Sequence, residues 1–222
     1  MSELDNVSHP KEAGNILNCD LPPVLVDNAR HSEKDKAFFS EYFQRHFMWQ
    51  YGGGAEGLYA HRSYFISDFH VNGHAVKMDP IVKEIWKQIC RVLQLNPYTH
   101  VGRCYLLGQT KDMDGPWHRD TGDENSRTLV YYPVFNPHFK HKGTHFRIDG
   151  EESETHYMQD HFCWFDARLE HRGLSTTCKE SMRVALVFQC VNLENTQNKF
   201  IFQNTCGNDE RLDDKLSIEI PR

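Results

Sequence analysis

The chain has 222 residues, a formal net charge of −6 and 39 % hydrophobic residues, 12 % of the whole being aromatic. That length suits one large domain with a sizeable core rather than two. The charge balance and the lack of any Lys/Arg block argue against a nucleic-acid footprint. No stretch approaches the roughly 18 apolar residues of a membrane span. The polar start MSELDNVSHPKEAG shows no secretory signal, so a cytoplasmic protein is expected.

In chain order, residues 1–20 are polar, lack periodicity and are expected to form a flexible N-terminal segment. Residues 21–222 then form a single domain. Val24-Leu25-Val26 reads as a short strand after Pro22-Pro23. Ser32, with Asp35 three positions later, is an acidic variant of the capping box. It opens a helix over 33–47, where Phe38/Phe39, Tyr42/Phe43 and Phe47 recur at helical spacing. The Gly52-Gly53-Gly54 run that follows lacks a phosphate-loop pattern and is read as a loop, with a lid in the 49–75 segment as one reading. Strands are plausible within 58–72. Asp79-Pro80 starts a second helix over 80–95, with Asp as N-cap and Pro at the first helical position. Its apolar stripe is Ile81/Val82, Ile85/Trp86, Ile89/Cys90 and Leu93.

After Asn96-Pro97 come short β-rich runs at 101–107, 116–121, 128–135, 143–148, 154–158, 161–166, 170–173 and 182–192. LSIEI near the C-terminus is a possible last strand. About eight close-spaced strands after two helices predict an α+β, mainly β architecture. The expected form is a jelly roll with N-terminal helices packed on one sheet and a core of about 101–192. Seven cysteines without a C-x-x-C pair predict free, mostly buried thiols rather than a zinc or disulfide framework.

Fourteen histidines force a choice among them. His118 and Asp120, two residues apart on an extended segment, point to one face. His171 follows a hydrophobic strand 51 positions after Asp120. Two His and one carboxylate make the facial triad that holds non-haem Fe(II) and leaves positions open. Arg183, twelve positions after His171, opens a buried strand. Its rigid fork suits a carboxylate. By contrast, His138, His141 and His145 match no tight zinc spacing. His70/His74 and His156/His161 flank turns.

The order H-x-D, about fifty residues, His, then about ten to Arg, resembles the Fe(II)/2-oxoglutarate-dependent dioxygenases, in their prolyl-4-hydroxylase-like branch. The resemblance covers 101–192. Val101–Tyr105, Gly115–Asp120, and Thr128–Pro133 with Lys142–Phe146 look like that family's core strands. At Thr144-His145 this sequence departs from the usual second Gly and acidic residue.

The resemblance implies that His118, Asp120 and His171 are the iron ligands. It implies that Arg183 pairs with the distal carboxylate of 2-oxoglutarate and that Tyr105 donates to the same group. Tyr131 is expected to line that pocket, although strand alternation allows only one of Tyr131 and Tyr132 to face in. The implied cofactors are Fe(II), 2-oxoglutarate and O2, with ascorbate as reductant. The implied reaction hydroxylates an unactivated C–H bond of a small molecule or peptidyl residue, releasing succinate and CO2. Halogenases of this superfamily carry a small residue in place of the acid, so Asp120 favours hydroxylation. Two alternatives stay open: a cupin-like metal enzyme without 2-oxoglutarate, which would use His145 and His156, and a non-catalytic binding sandwich.

Overall fold

The structure is a computed structural model. It describes residues 24–47, 49–52, 64–71, 74–75, 79–95, 101–137 and 143–190. The expected 1–20 segment, the C-terminal LSIEI and most of the triple-glycine loop lie outside those residues.

The elements in order are β1 (Val24–Asn28), α1 (Glu33–Arg45), β2 (Gln50–Gly52), β3 (Tyr64–Val71), β4 (His74–Ala75) and α2 (Pro80–Leu93). There follow β5 (Val101–Gln109), β6 (Arg127–Tyr131), β7 (Thr144–Ile148), β8 (Glu151–Glu154), β9 (His161–Asp166), β10 (Glu170–Gly173) and β11 (Arg183–Cys190). Ser32 caps α1, its hydroxyl accepting from Asp35 N at 3.2 Å and donating to the Asp35 carboxylate at 2.6 Å. Asp79 caps α2 by accepting from Ile81 N at 2.8 Å and Val82 N at 3.3 Å. The Tyr42 hydroxyl donates to Asp79 at 2.6 Å and so ties the two helices together. Gln94 ends α2 in a left-handed conformation, φ 55°. No described helix is long and apolar enough to cross a membrane.

All strand pairs are antiparallel. The large sheet runs β1-β9-β6-β11-β5-β3-β2, with β4 on β3, and the small sheet runs β10-β7-β8. Side chains alternate across each strand, so the large sheet has two distinct faces. Leu129, Tyr131, Phe162, Trp164, Leu186 and Phe188 pack against the helices, with Trp86 of α2 4.8 Å from Phe188. Val130, Tyr132, Cys163, Phe165, Ala185 and Val187 face the small sheet. Phe146 of β7 meets Phe165 edge-on at 4.8 Å across that gap. This two-sheet, mainly antiparallel arrangement with helices on one outer face is a jelly roll.

Two of the expected strands differ. The 116–121 run is not a strand: His118 makes a lone bridge to His171, and Pro116 has no N–H to extend it. The expected strand at 154–158 lies at Glu151–Glu154 instead. Asp149 and Gly150 both have positive φ, 51° and 86°, as the tight hairpin turn joining β7 to β8 requires. The five described cysteines are free thiols, all buried except Cys178.

Candidate metal centre and co-substrate pocket

The His118–His171 bridge sets the geometry. His118 N donates to His171 O at 3.0 Å, and His171 N donates to His118 O at 2.9 Å. Directly opposed residues of an antiparallel pair share a face, so the two imidazoles lie side by side, 4.4 Å between ring centroids. Each ring is then locked from behind. Nδ1 of His118 is 3.0 Å from Pro116 O, and Nδ1 of His171 is 2.9 Å from Leu169 O. Carbonyl oxygens only accept, so each Nδ1 carries the proton and each Nε2 offers its lone pair.

Asp120 completes the set. Its Oδ1 is 3.7 Å from His118 Nε2 and its Oδ2 is 3.6 Å from His171 Nε2. Ligand atoms of all three residues lie within 4.8 Å of one another. Cis ligands at roughly 2.1 Å from a common ion would stand about 3 Å apart, so a shift below an ångström at each donor closes the site. Asp120 is itself held: Thr128 Oγ1 donates to Oδ2, and Gln189 Nε2 donates to Oδ1 at 2.8 Å. Burial pushes the His171 pKa below its ordinary value, against the raising effect of Asp120. The neutral, ligating form is thereby favoured. Softness and count of these donors, two imidazoles and one carboxylate, fit a non-haem iron with open positions. His118 is the more exposed ligand, with 43 % of its side chain accessible, so the open side is on its flank.

Behind the bridge, on the outer face of the small sheet, the Trp117 ring packs against two guanidiniums. Arg147 and Arg172 stand 4.3 and 4.4 Å from its ring. Glu152 and Glu170 hold Arg147 in turn, at 2.9 and 3.2 Å.

Arg183 is 1 % exposed and opens β11 on the face toward the small sheet. Its Nη1 donates to Gln109 Oε1 at 2.9 Å, and its Nη2 to Gly143 O at 3.2 Å and Thr144 Oγ1 at 3.5 Å. Its Nε is buried with no partner. Among the described residues no carboxylate pairs with it. Gly173 lets the backbone pass close by: a Cβ there would sit 2.8 Å from Gln109 Oε1 and 3.0 Å from Arg183 Nη1.

The expectation for Tyr131 needs correction. Tyr131 faces the helices, where its hydroxyl donates to Asp160 at 3.0 Å. Alternation puts Tyr132 on the inner face toward the small sheet instead, the side of Arg183. Its hydroxyl is 2.9 Å from Thr144 Oγ1, and its ring is 5.4 Å from the Arg183 guanidinium. Tyr105 shares the inner face with Val187, its partner across β5 and β11. Burial raises its phenol pKa strongly, with the Asp120 charge adding to the effect, so the hydroxyl stays a donor. Arg103 covers its ring at 4.5 Å. His145, a ligand in the cupin-like alternative, lies 2.6 Å from Glu154 and outside the cluster.

Sequence reasoning missed Gln109, Thr128, Thr144 and Gln189. Their polar side chains at inward positions of otherwise apolar strands were the available signal.

No family model and no curated protein matches the sequence. Solved structures do match in fold. A prolyl hydroxylase of Trichoplax adhaerens, in complex with a hypoxia-inducible-factor oxygen-degradation-domain peptide fragment, superposes with TM-score 0.57 at 12 % identity, covering 78 % of this chain and 84 % of that one. A 2OG-Fe(II) oxygenase family oxidoreductase from Burkholderia pseudomallei gives 0.55 at 10 % identity, over 76 % and 85 %. A non-haem α-ketoglutarate-dependent epimerase from nogalamycin biosynthesis gives 0.56 at 10 % identity, over 77 % and 78 %. The chain therefore has the jelly-roll fold of the prolyl hydroxylases and 2-oxoglutarate–Fe(II) oxygenases.

Proposed function

We propose that this protein is an Fe(II)- and 2-oxoglutarate-dependent dioxygenase that hydroxylates an unactivated C–H bond of a small molecule or peptidyl residue. The observation that carries this reading is the pairing of two features in one sandwich. A His-Asp-His donor set has both Nε2 atoms facing the carboxylate, and a fully buried guanidinium has no counter-ion among the described residues. An uncompensated buried charge costs several kcal/mol, which a bound carboxylate would offset. Iron held by His118, Asp120 and His171 would supply O2 activation coupled to oxidative decarboxylation of 2-oxoglutarate to succinate and CO2.

The chain's own groups do the rest. Thr128 and Gln189 fix the Asp120 carboxylate, and the Pro116 and Leu169 carbonyls fix the rings. Arg183 receives the distal carboxylate, with Thr144 and Tyr132 beside it, while Tyr105, opposite Val187 rather than Arg183, serves as a donor nearer the Asp120 end. The apolar lining of Val130, Phe146, Ala185 and Val187 excludes water between the two ends. The fold alone does not select hydroxylation, since an epimerase shares it. Asp120, standing where a halogenase would carry a small residue, argues against halogenation and leaves hydroxylation as the proposed reaction. A peptide is a reasonable substrate class because one structural neighbour is bound to a peptide fragment. Ascorbate is the expected reductant in the assay.

The test is Fe(II)-dependent conversion of 2-oxoglutarate to succinate by the full chain, slow without prime substrate, together with Mn(II) titration of wild type and His118→Ala. Succinate formation and loss of metal affinity in the variant are expected. Unchanged metal affinity would remove the ligand assignment. A metal-loaded protein with no affinity for 2-oxoglutarate would favour a cupin-like enzyme.

A further inference from the structure

We infer that Gln109 is the specificity-determining residue that reserves the inner end of the pocket for a 2-oxo acid with a second carboxylate. This rests on the dioxygenase reading and deepens it. Gln109 is 2 % exposed at the end of β5, cross-strand from Arg183. Its Nε2 donates to Met113 O at 2.8 Å and to Gly173 O at 3.2 Å. Both partners only accept, so the amide's orientation is fixed. Its Oε1 is thereby turned to Arg183 Nη1 at 2.9 Å.

The consequence is electrostatic. Among the described residues, every acceptor that holds Arg183 is uncharged: the Gln109 amide, the Gly143 carbonyl and the Thr144 hydroxyl. The fork is oriented without being neutralised, and its Nε remains without a partner. A glutamate at 109 would be nearly isosteric with glutamine yet would pair with the guanidinium at the same distance. The pocket would then hold its own counter-ion and would no longer favour a ligand's distal carboxylate. Glutamine supplies the geometry of an ion pair while leaving the positive charge for the ligand. Gly173 supports this by leaving room for the contact, since a Cβ there would crowd both Gln109 Oε1 and Arg183 Nη1.

The experiment measures binding, not turnover. Full-length Mn(II)-loaded wild type, Gln109→Glu and Gln109→Leu are titrated calorimetrically with 2-oxoglutarate and with 2-oxovalerate. The two ligands share the 2-oxo acid head and differ at the distal carboxylate. Wild type is expected to prefer 2-oxoglutarate by about 100-fold or more, as a charge-assisted contact to a buried group implies. Gln109→Glu should bring the two ligands within about threefold, mainly by weakening 2-oxoglutarate. Gln109→Leu, which loses the lever on Nη1, should weaken 2-oxoglutarate about tenfold and leave 2-oxovalerate unchanged. A merely structural role would weaken both ligands together and keep their ratio, and that result overturns the inference. A ratio unchanged in both variants overturns it too. Wild type that binds neither ligand overturns the dioxygenase reading itself, so the two failures are distinguishable.

Discussion

Arg183→Met separates a ligand-binding cation from a structural one. Arg183 is fully buried, and a large core residue cut away normally costs about 3–5 kcal/mol. Methionine keeps most of the stem volume, so little cavity forms. The substitution leaves Gln109 Oε1 and Gly143 O without their donor, about 1–3 kcal/mol each. Against that, it removes a buried charge with no counter-ion among the described residues, a relief of about 3–5 kcal/mol. The two nearly cancel. The ligand-free variant is expected within about 1 kcal/mol of wild type, or roughly 2–4 °C in Tm for a chain of this size. The ligand-linked part behaves differently. At about 100 times its Kd, 2-oxoglutarate should stabilise Mn(II)-loaded wild type by about 2.7 kcal/mol. In the variant that shift should fall to about 0.4 kcal/mol or less, because losing a buried carboxylate–guanidinium contact weakens binding by about 100-fold or more. Thermal denaturation with and without 2-oxoglutarate reads both terms. A variant destabilised by 3 kcal/mol or more without ligand, or one that retains the full shift, refutes the reasoning.

Gln189→Leu removes the amide that holds Asp120 Oδ1, and Mn(II) affinity should fall about 10–100-fold with the fold intact, as followed by electron paramagnetic resonance titration. Trp117→Ala removes the ring that Arg147 and Arg172 pack against, with an expected loss of about 1–2 kcal/mol in urea denaturation that shrinks at high salt. Asp160 is wholly buried, accepting from His31 N at 2.9 Å and Tyr131 Oη at 3.0 Å, with His31 Nδ1 2.6 Å from Oδ1. Asp160→Ala should cost about 3–5 kcal/mol in the same assay and Asp160→Asn clearly less, since asparagine keeps an acceptor and tolerates the positive φ.

The sequence by itself determined the elements whose signals are local. Ser32 and Asp79-Pro80 mark their helix starts because a cap acts on backbone N–H groups within three residues. The apolar stripe of α2 is visible because helical periodicity is a property of adjacent turns. The spacing of His118, Asp120, His171 and Arg183 was enough to select them from fourteen histidines and the basic residues. Tertiary structure decided what depends on partners distant in sequence. Whether Tyr131 or Tyr132 faces the pocket follows from the register of β6 against β9 and β11. The 116–121 segment meets β10, over fifty positions later, in a single bridge, since Pro116 has no N–H to extend the pairing. Gln109 reaches Arg183 across 74 positions, and Gln189 reaches Asp120 across 69. No local pattern encodes such contacts. The chain names the groups that can hold a metal, and the packing of two sheets sets which neutral residues, among those described, surround the proposed carboxylate-binding Arg183.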